Sequence, residues 1–114
     1  MKNLLPLLVF IFFGCASTPS DLTSPYWKTY QKAKAYYEKG KYAAAKEQFH
    51  GFIAQEQKGE LYKISLFYLA DCYHYLDENK QALILFNRLI DEFDSDDFWV
   101  LQAQRRLQQI KIPQ

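Results

Sequence analysis

Few residues of this chain are of types that do chemistry: the histidines His50 and His74, the cysteines Cys15 and Cys72, and the carboxylate run Asp94, Asp96 and Asp97. Asp71 and His74 stand three positions apart, so they share a helical face, with Cys72 beside them. These three are the nearest approach to a metal or catalytic constellation. A structural zinc centre needs a closed set of about four ligands, and an isolated Asp–His pair reads instead as a surface hydrogen bond. Asp94-x-Asp96 opens like a calcium loop, but Trp99 replaces the glycine that loop requires and Arg105 replaces its closing glutamate. The run reads as a helix cap. With four glycines in the whole chain there is no glycine-rich phosphate loop and no nucleophile elbow. The residues therefore point to a protein that is not an enzyme, with no cofactor and no metal, and Cys72 reads as a small buried hydrophobe.

The elements that would position these residues form an internal repeat. A shift of 37 maps Ala33 to Ala70, Tyr36 to Tyr73, Ala45 to Ala82, Phe49 to Phe86, Phe52 to Leu89 and Ile53 to Ile90, with Gly40 answered by Asp77. Apolar positions recur at three- and four-residue spacing on both sides of Lys39-Gly40-Lys41, which predicts two amphipathic helices joined by a tight turn in each unit. Ser24 and Pro25 are expected to cap and open the first helix, and Gly40 to close it in a left-handed conformation. The second helix is expected over residues 41–55, the third over 60–76 and the fourth over 79–93. Tyr42, Ala45, Phe49, Phe52 and Ile53 should face inward from the second helix. Leu61, Ile64, Phe67, Tyr68, Ala70 and Tyr73 should do so from the third, and Ala82, Leu83, Leu85 or Phe86, Leu89 and Ile90 from the fourth. Asp94-Ser95-Asp96-Asp97 should cap a fifth helix over 96–111, with Arg105, Arg106 and Lys111 near its negative end. The expected fold class is all-α.

The small residue in the first helix of each unit, the aromatic three later, the Gly-x-Tyr turn and the Ala-x3-Phe of the second helix resemble the tetratricopeptide repeat. The period of 37 implies a connector longer than usual, at residues 55–60. The Phe-x2-Phe-Ile ending of the first unit is similar to repeats of bacterial envelope lipoproteins, such as those of the barrel-assembly and Tol-Pal-associated machineries. Lys32 and Thr29 depart from the family's larger apolar residues, and neither unit closes with its usual proline. The resemblance implies a short right-handed α-solenoid: repeat one at 25–55, repeat two at 60–93 and a capping helix at 96–111, together a domain over 25–111. It also implies a concave groove lined by Trp27, Tyr30, Lys34, Tyr37 and Glu38 from the first unit and Ile64, Phe67, Asp71, His74 and Tyr75 from the second. The carboxylate clamp of some family members is absent, since Tyr30 and Phe67 stand where charged donors would sit. An aromatic groove favours an apolar or helical peptide segment of a protein partner.

The chain begins with a short basic segment, Met1-Lys2-Asn3, and ten apolar residues from Leu4 to Phe13. As a helix that run spans about 15 Å, against about 30 Å for a bilayer core, and reads as a signal peptide over 1–14. Gly14-Cys15 directly after it resembles the lipobox of bacterial lipoproteins, although Phe12 and Phe13 are atypical there. The resemblance implies that Cys15 becomes lipidated and is the anchor, that Ala16 favours the outer membrane over the inner, and that the protein faces the periplasm. Several acyl chains make such attachment durable. Residues 16–24 have the polar, proline-containing composition of a tether, and nine extended residues reach about 30 Å.

Without Lys2 the chain carries 13 basic and 13 acidic residues, which argues against nucleic-acid binding. The balance hides an asymmetry: residues 15–54 hold six lysines and three acids, and residues 55–114 seven basic and ten acidic residues. The sequence reading is thus a membrane-anchored, non-catalytic adaptor that binds a protein component of an envelope complex. Its alternatives are a pilotin-like escort of a secretin and a subunit that self-associates weakly through its oppositely charged ends. A metal protein built on Asp71, Cys72 and His74 is the remaining class.

Overall fold

The computed structural model describes residues 25–110. The segment expected to be a signal peptide, Cys15, the expected tether and the last four residues lie outside the described residues. Five α-helices and no strands make up the described chain: α1 (Trp27–Glu38), α2 (Tyr42–Gln55), α3 (Glu60–Tyr75), α4 (Asn79–Glu92) and α5 (Phe98–Gln109). The fold is all-α. Each helix packs on the next, and α3 also touches both α1 and α5, so it is the helix with neighbours on most sides.

The turns explain why the chain doubles back twice in the same way. After α1, Gly40 takes φ 76°, its N–H bonds the Tyr37 carbonyl at 2.9 Å, and Lys41 N–H bonds the Tyr36 carbonyl at 2.9 Å. After α3, Asp77 takes φ 64°, its N–H bonds the His74 carbonyl at 3.0 Å, and Glu78 N–H bonds the Tyr73 carbonyl at 2.8 Å. Both are the paired closing bonds of a Schellman cap, 37 residues apart. Asp77 holds a left-handed conformation that glycine adopts without a Cβ clash. Asp77→Gly is therefore expected to stabilise the fold by about 0.5–1 kcal/mol, the relief being partly offset by the freer unfolded chain. A rise in the urea midpoint with an unchanged slope checks it.

The start of α1 differs from expectation. Pro25 and Tyr26 form a turn, Tyr26 is the N-cap without a side-chain cap bond, and α1 begins at Trp27. The reason is local: Tyr26 already has φ −94° and ψ −3°, and its carbonyl accepts the first helical bond, from Tyr30 N–H at 3.1 Å. The second, third, fourth and fifth helices also end or begin one or two residues inside their expected bounds.

At α5 the acidic run resolves to one capping residue. Asp97 Oδ1 accepts from Trp99 N–H at 2.7 Å and Val100 N–H at 3.3 Å, and Oδ2 accepts from the Lys63 ammonium. Lys63 also lies 3.1 Å from Glu60. Burial disfavours the Asp97 carboxylate, but Lys63 and the two amides outweigh it and hold its pKa below the ordinary value of 3.8. A depressed folded-state pKa gives stability that is present above the unfolded value and lost as pH falls through the folded one. The Asp97 contribution should therefore begin to decline at about pH 4 and be lost as pH falls through the lower folded-state value, and Asp97→Asn should flatten that part of the thermal midpoint against pH.

Five alanines lie at the helix crossings, Ala33, Ala45, Ala70, Ala82 and Ala103, and all are fully buried. Their methyl groups let the backbones approach while Phe49, Phe52, Phe86 and Leu89 fill the space alongside. The core of α3 is wider than the stripe expected of it. Tyr62, Ser65, Leu66, Leu69 and Cys72 are buried as well as Phe67 and Ala70, whereas Leu61, Ile64, Tyr68 and Tyr73 are half-buried. A helix covered on two sides buries two stripes, and a single-stripe reading finds one of them. Tyr42 of α2, expected inward, is also half-buried.

Candidate functional site: an aromatic row on a buried charge pair

Asp71 is the centre of the arrangement. It is fully buried in α3, where Arg106 Nε of α5 donates to its Oδ1 at 2.7 Å and Arg106 Nη2 to its Oδ2 at 3.4 Å. The Tyr37 hydroxyl of α1 donates to Oδ2 at 2.5 Å. One carboxylate thus joins α1, α3 and α5. The cost of burying its charge is offset by a guanidinium and a hydroxyl together, which is the condition under which a buried ion pair holds. Burial and the Asp71 hydrogen bond push the Tyr37 phenol well above its usual range, and the Asp71 hydrogen bond raises Arg106.

A row of rings lies across these same helices. Phe98 meets Trp99 with centroids 5.1 Å apart, Trp99 meets Tyr68 at 5.6 Å and Tyr68 meets Tyr37 at 4.7 Å. Tyr37 continues to Tyr75 at 6.4 Å, and Tyr75 stacks on Tyr42 at 4.3 Å and 10°. The row crosses α5, α3, α1 and α2; Phe98 at one end is 60% exposed, and Tyr75, which stacks on the half-buried Tyr42 at the other end, is 51% exposed. Leu101, one turn after Phe98, is 44% exposed. Lys34 sits over the Tyr68 ring at 5.2 Å and pairs with Glu38 at 3.7 Å. These rings make edge and face contacts worth about 0.5–1.5 kcal/mol each beyond area burial, so the row is held in one arrangement.

Of the ten residues expected to line a groove, three sit in the core. Tyr30 packs on Phe49 and Phe52, Phe67 packs on Phe86 and Trp99, and Asp71 holds Arg106. Their presence in the core has a common reason: each lies on a helix flank that a neighbouring helix covers. Burial, with the charges of Tyr68 and Glu38 adding to it, pushes the Tyr30 phenol up to about 12. Trp27, Lys34, Tyr37, Ile64 and His74 are half-buried, while Glu38 and Tyr75 are exposed. Trp27 stacks on Tyr30 at 5.7 Å. Tyr42, Tyr68, Phe98 and Trp99, which complete the row, were not among the expected ten, and the aromatic content of 18% was the signal available for them.

The Asp71–His74 pair does not act as a unit. His74 Nδ1 lies 3.0 Å from Asn79 Oδ1, while Asp71 is taken by Arg106 and Tyr37. Burial pushes the Cys72 thiol up to about 12, with Asp71 adding to it, so it is protonated at neutral pH. No group of three or more His, Cys, Asp or Glu side chains comes together among the described residues. No helix among them is long and apolar enough to cross a membrane. Comparison with protein-family models, curated proteins and solved structures finds no match for this chain.

Proposed function

We propose that this chain is a non-catalytic adaptor of tetratricopeptide type, which binds a segment of a protein partner in a bacterial envelope complex. We further propose that it is a lipoprotein held by Cys15 at the periplasmic face of the outer membrane. The observation that carries the adaptor reading is the aromatic row from Phe98 to Tyr42, tied to Asp71 through the Tyr37 hydroxyl and exposed at Phe98 and Tyr75. Rigid, half-buried aromatics give large contact area at low entropic cost, which is how partner-binding surfaces gain affinity. The matched turns at Gly40 and Asp77, and the alanines at the helix crossings, support the repeat reading.

The test places a photoreactive phenylalanine at Tyr75 of the full chain in its native cells. One dominant envelope adduct, lost when Phe98→Ala is added, supports the adaptor and names its partner; a secretin in that adduct identifies a pilotin. Adducts only with other copies of the chain favour the self-associating subunit. The absence of any adduct means that the row serves internal packing alone. Intact mass of the protein extracted from membranes tests the lipid on Cys15 separately.

A further inference from the structure

The outer face of α1 differs from its counterpart in α3 in a way that defines a second surface. Positions 28, 32, 35 and 39 correspond at the 37-residue shift to 65, 69, 72 and 76. In α3 these are Ser65, Leu69, Cys72 and Leu76, of which the first three are buried. In α1 they are Lys28, Lys32, Ala35 and the C-cap residue Lys39, all exposed. At 100° per residue the four lie within an arc of about 60°, in a stripe about 16 Å long. It points away from Tyr30 and Ala33, which α1 turns into the core.

Among the described residues the side chains of these three lysines make no ion pair or hydrogen bond, whereas Lys34 is held by Glu38 and Lys46 by Glu78. No acid stands on the stripe. Lysine at these positions opposes dry packing of another helix there, because each ammonium would lose its water without a partner. The stripe is suited to a surface that supplies negative charge and stays wet.

Its position in the chain indicates which surface. Only nine residues, 16–24, separate the proposed anchor at Cys15 from Pro25, and even fully extended they reach about 30 Å. The described chain begins at Pro25, three residues before Lys28, and Trp27 is half-buried in the first turn of α1. A domain held at that distance presents some face to the bilayer, and the lysine stripe starts three residues after the first described residue, Pro25. We infer that Lys28, Lys32 and Lys39 dock the domain on anionic phospholipid headgroups of the leaflet that holds the anchor. The fold then stands with α1 against the membrane and α5, with Phe98 and Leu101, turned toward the periplasm. This inference rests on the lipoprotein reading for its geometry.

The experiment compares the full chain with its Lys28→Gln/Lys32→Gln/Lys39→Gln variant. Partitioning is measured into vesicles of phosphatidylglycerol mixed with phosphatidylcholine, and into phosphatidylcholine alone. The apolar residues 4–13 and Lys2 are common to both proteins, so the difference between them isolates the stripe. A lysine near an anionic surface is worth about five-fold in partitioning, so the variant should lose about a hundred-fold of the preference for anionic vesicles. The wild-type preference should also collapse at 1 M salt, where the screening length is about 3 Å. Circular dichroism of the variant confirms that these exposed substitutions leave the helices intact.

An equal preference in both proteins overturns the docking, as does salt-sensitive self-association without lipid that the variant abolishes, which assigns the stripe to a second copy. Cys15 found unmodified by intact mass would remove the anchor while a lysine-dependent preference still upheld the stripe. Cys15 found lipidated with no such preference would leave the anchor standing and remove the docking.

Discussion

Arg106→Met is expected to lower the unfolding free energy by about 3 kcal/mol, read from urea titration of the helical signal. Removing one partner of a buried pair costs about 3–5 kcal/mol because the other charge is left without compensation. The low end applies here because Arg106 is 24% exposed, so water can reach the vacated space, whereas the Asp71 side chain is fully buried. Tyr37 continues to donate to Asp71 but supplies no charge. The double variant Asp71→Leu/Arg106→Met should recover to within about 1 kcal/mol of wild type, since apolar groups of similar volume replace such pairs at little cost. Arg106→Lys should fall between, because an ammonium replaces the fork that now reaches both carboxylate oxygens. If both single and double variants were equally destabilised, the loss would be one of packing and the pair would contribute little. The consequence reaches the proposed binding surface: the pair ties α5 to α3, and α5 carries Phe98 and Trp99.

The distribution of legible and illegible features in the sequence follows from distance along the chain. Gly40 declared a helix end by itself, because only a residue tolerant of positive φ sits there cheaply. Asp77 declared the same turn only through its correspondence with Gly40. The alanines were legible for a similar reason, since a small residue recurring among aromatics marks a crossing. Asp97 could be narrowed to a four-residue run and no further, because Asp94, Ser95 and Asp96 are all competent caps by type. The Asp71–Arg106 and Lys63–Asp97 pairs were illegible, at separations of 35 and 34 residues. They depend on how three helices superpose, which no local pattern contains. The burial of three of the ten expected groove positions was illegible for the same reason. Whether Tyr30, Phe67 and Asp71 face solvent or a neighbouring helix is set by crossing geometry, while Tyr75 and Phe98 stay exposed because they lie where helix ends project past their neighbours' cover.

Phe49→Ala is expected to have the largest effect of any single substitution, about 3–4 kcal/mol, whereas Phe98→Ala should stay within about 0.5 kcal/mol of wild type. The two residues share a side chain and differ in surroundings. Phe49 is fully buried, stacks on Tyr68 of α3 at 5.7 Å and 12°, and meets Tyr30 of α1 edge-on at 6.2 Å. Truncation leaves a cavity between two helices and α2 that packed residues close only partly. Tyr68 keeps its contacts with Tyr37 and Trp99, so Phe49→Ala should weaken partner crosslinking at Tyr75 only where it has begun to unfold the protein. Phe98 is 60% exposed and touches Trp99, so its removal exposes rather than hollows. The expected pattern is therefore a division: Phe98→Ala keeps the melting profile and loses the adduct, and Phe49→Ala loses both together as denaturant or temperature rises. A Phe98→Ala protein that kept the adduct at full yield would show that the open end of the row takes no part in binding, and the proposed surface would shrink to the Tyr75–Tyr42 stack.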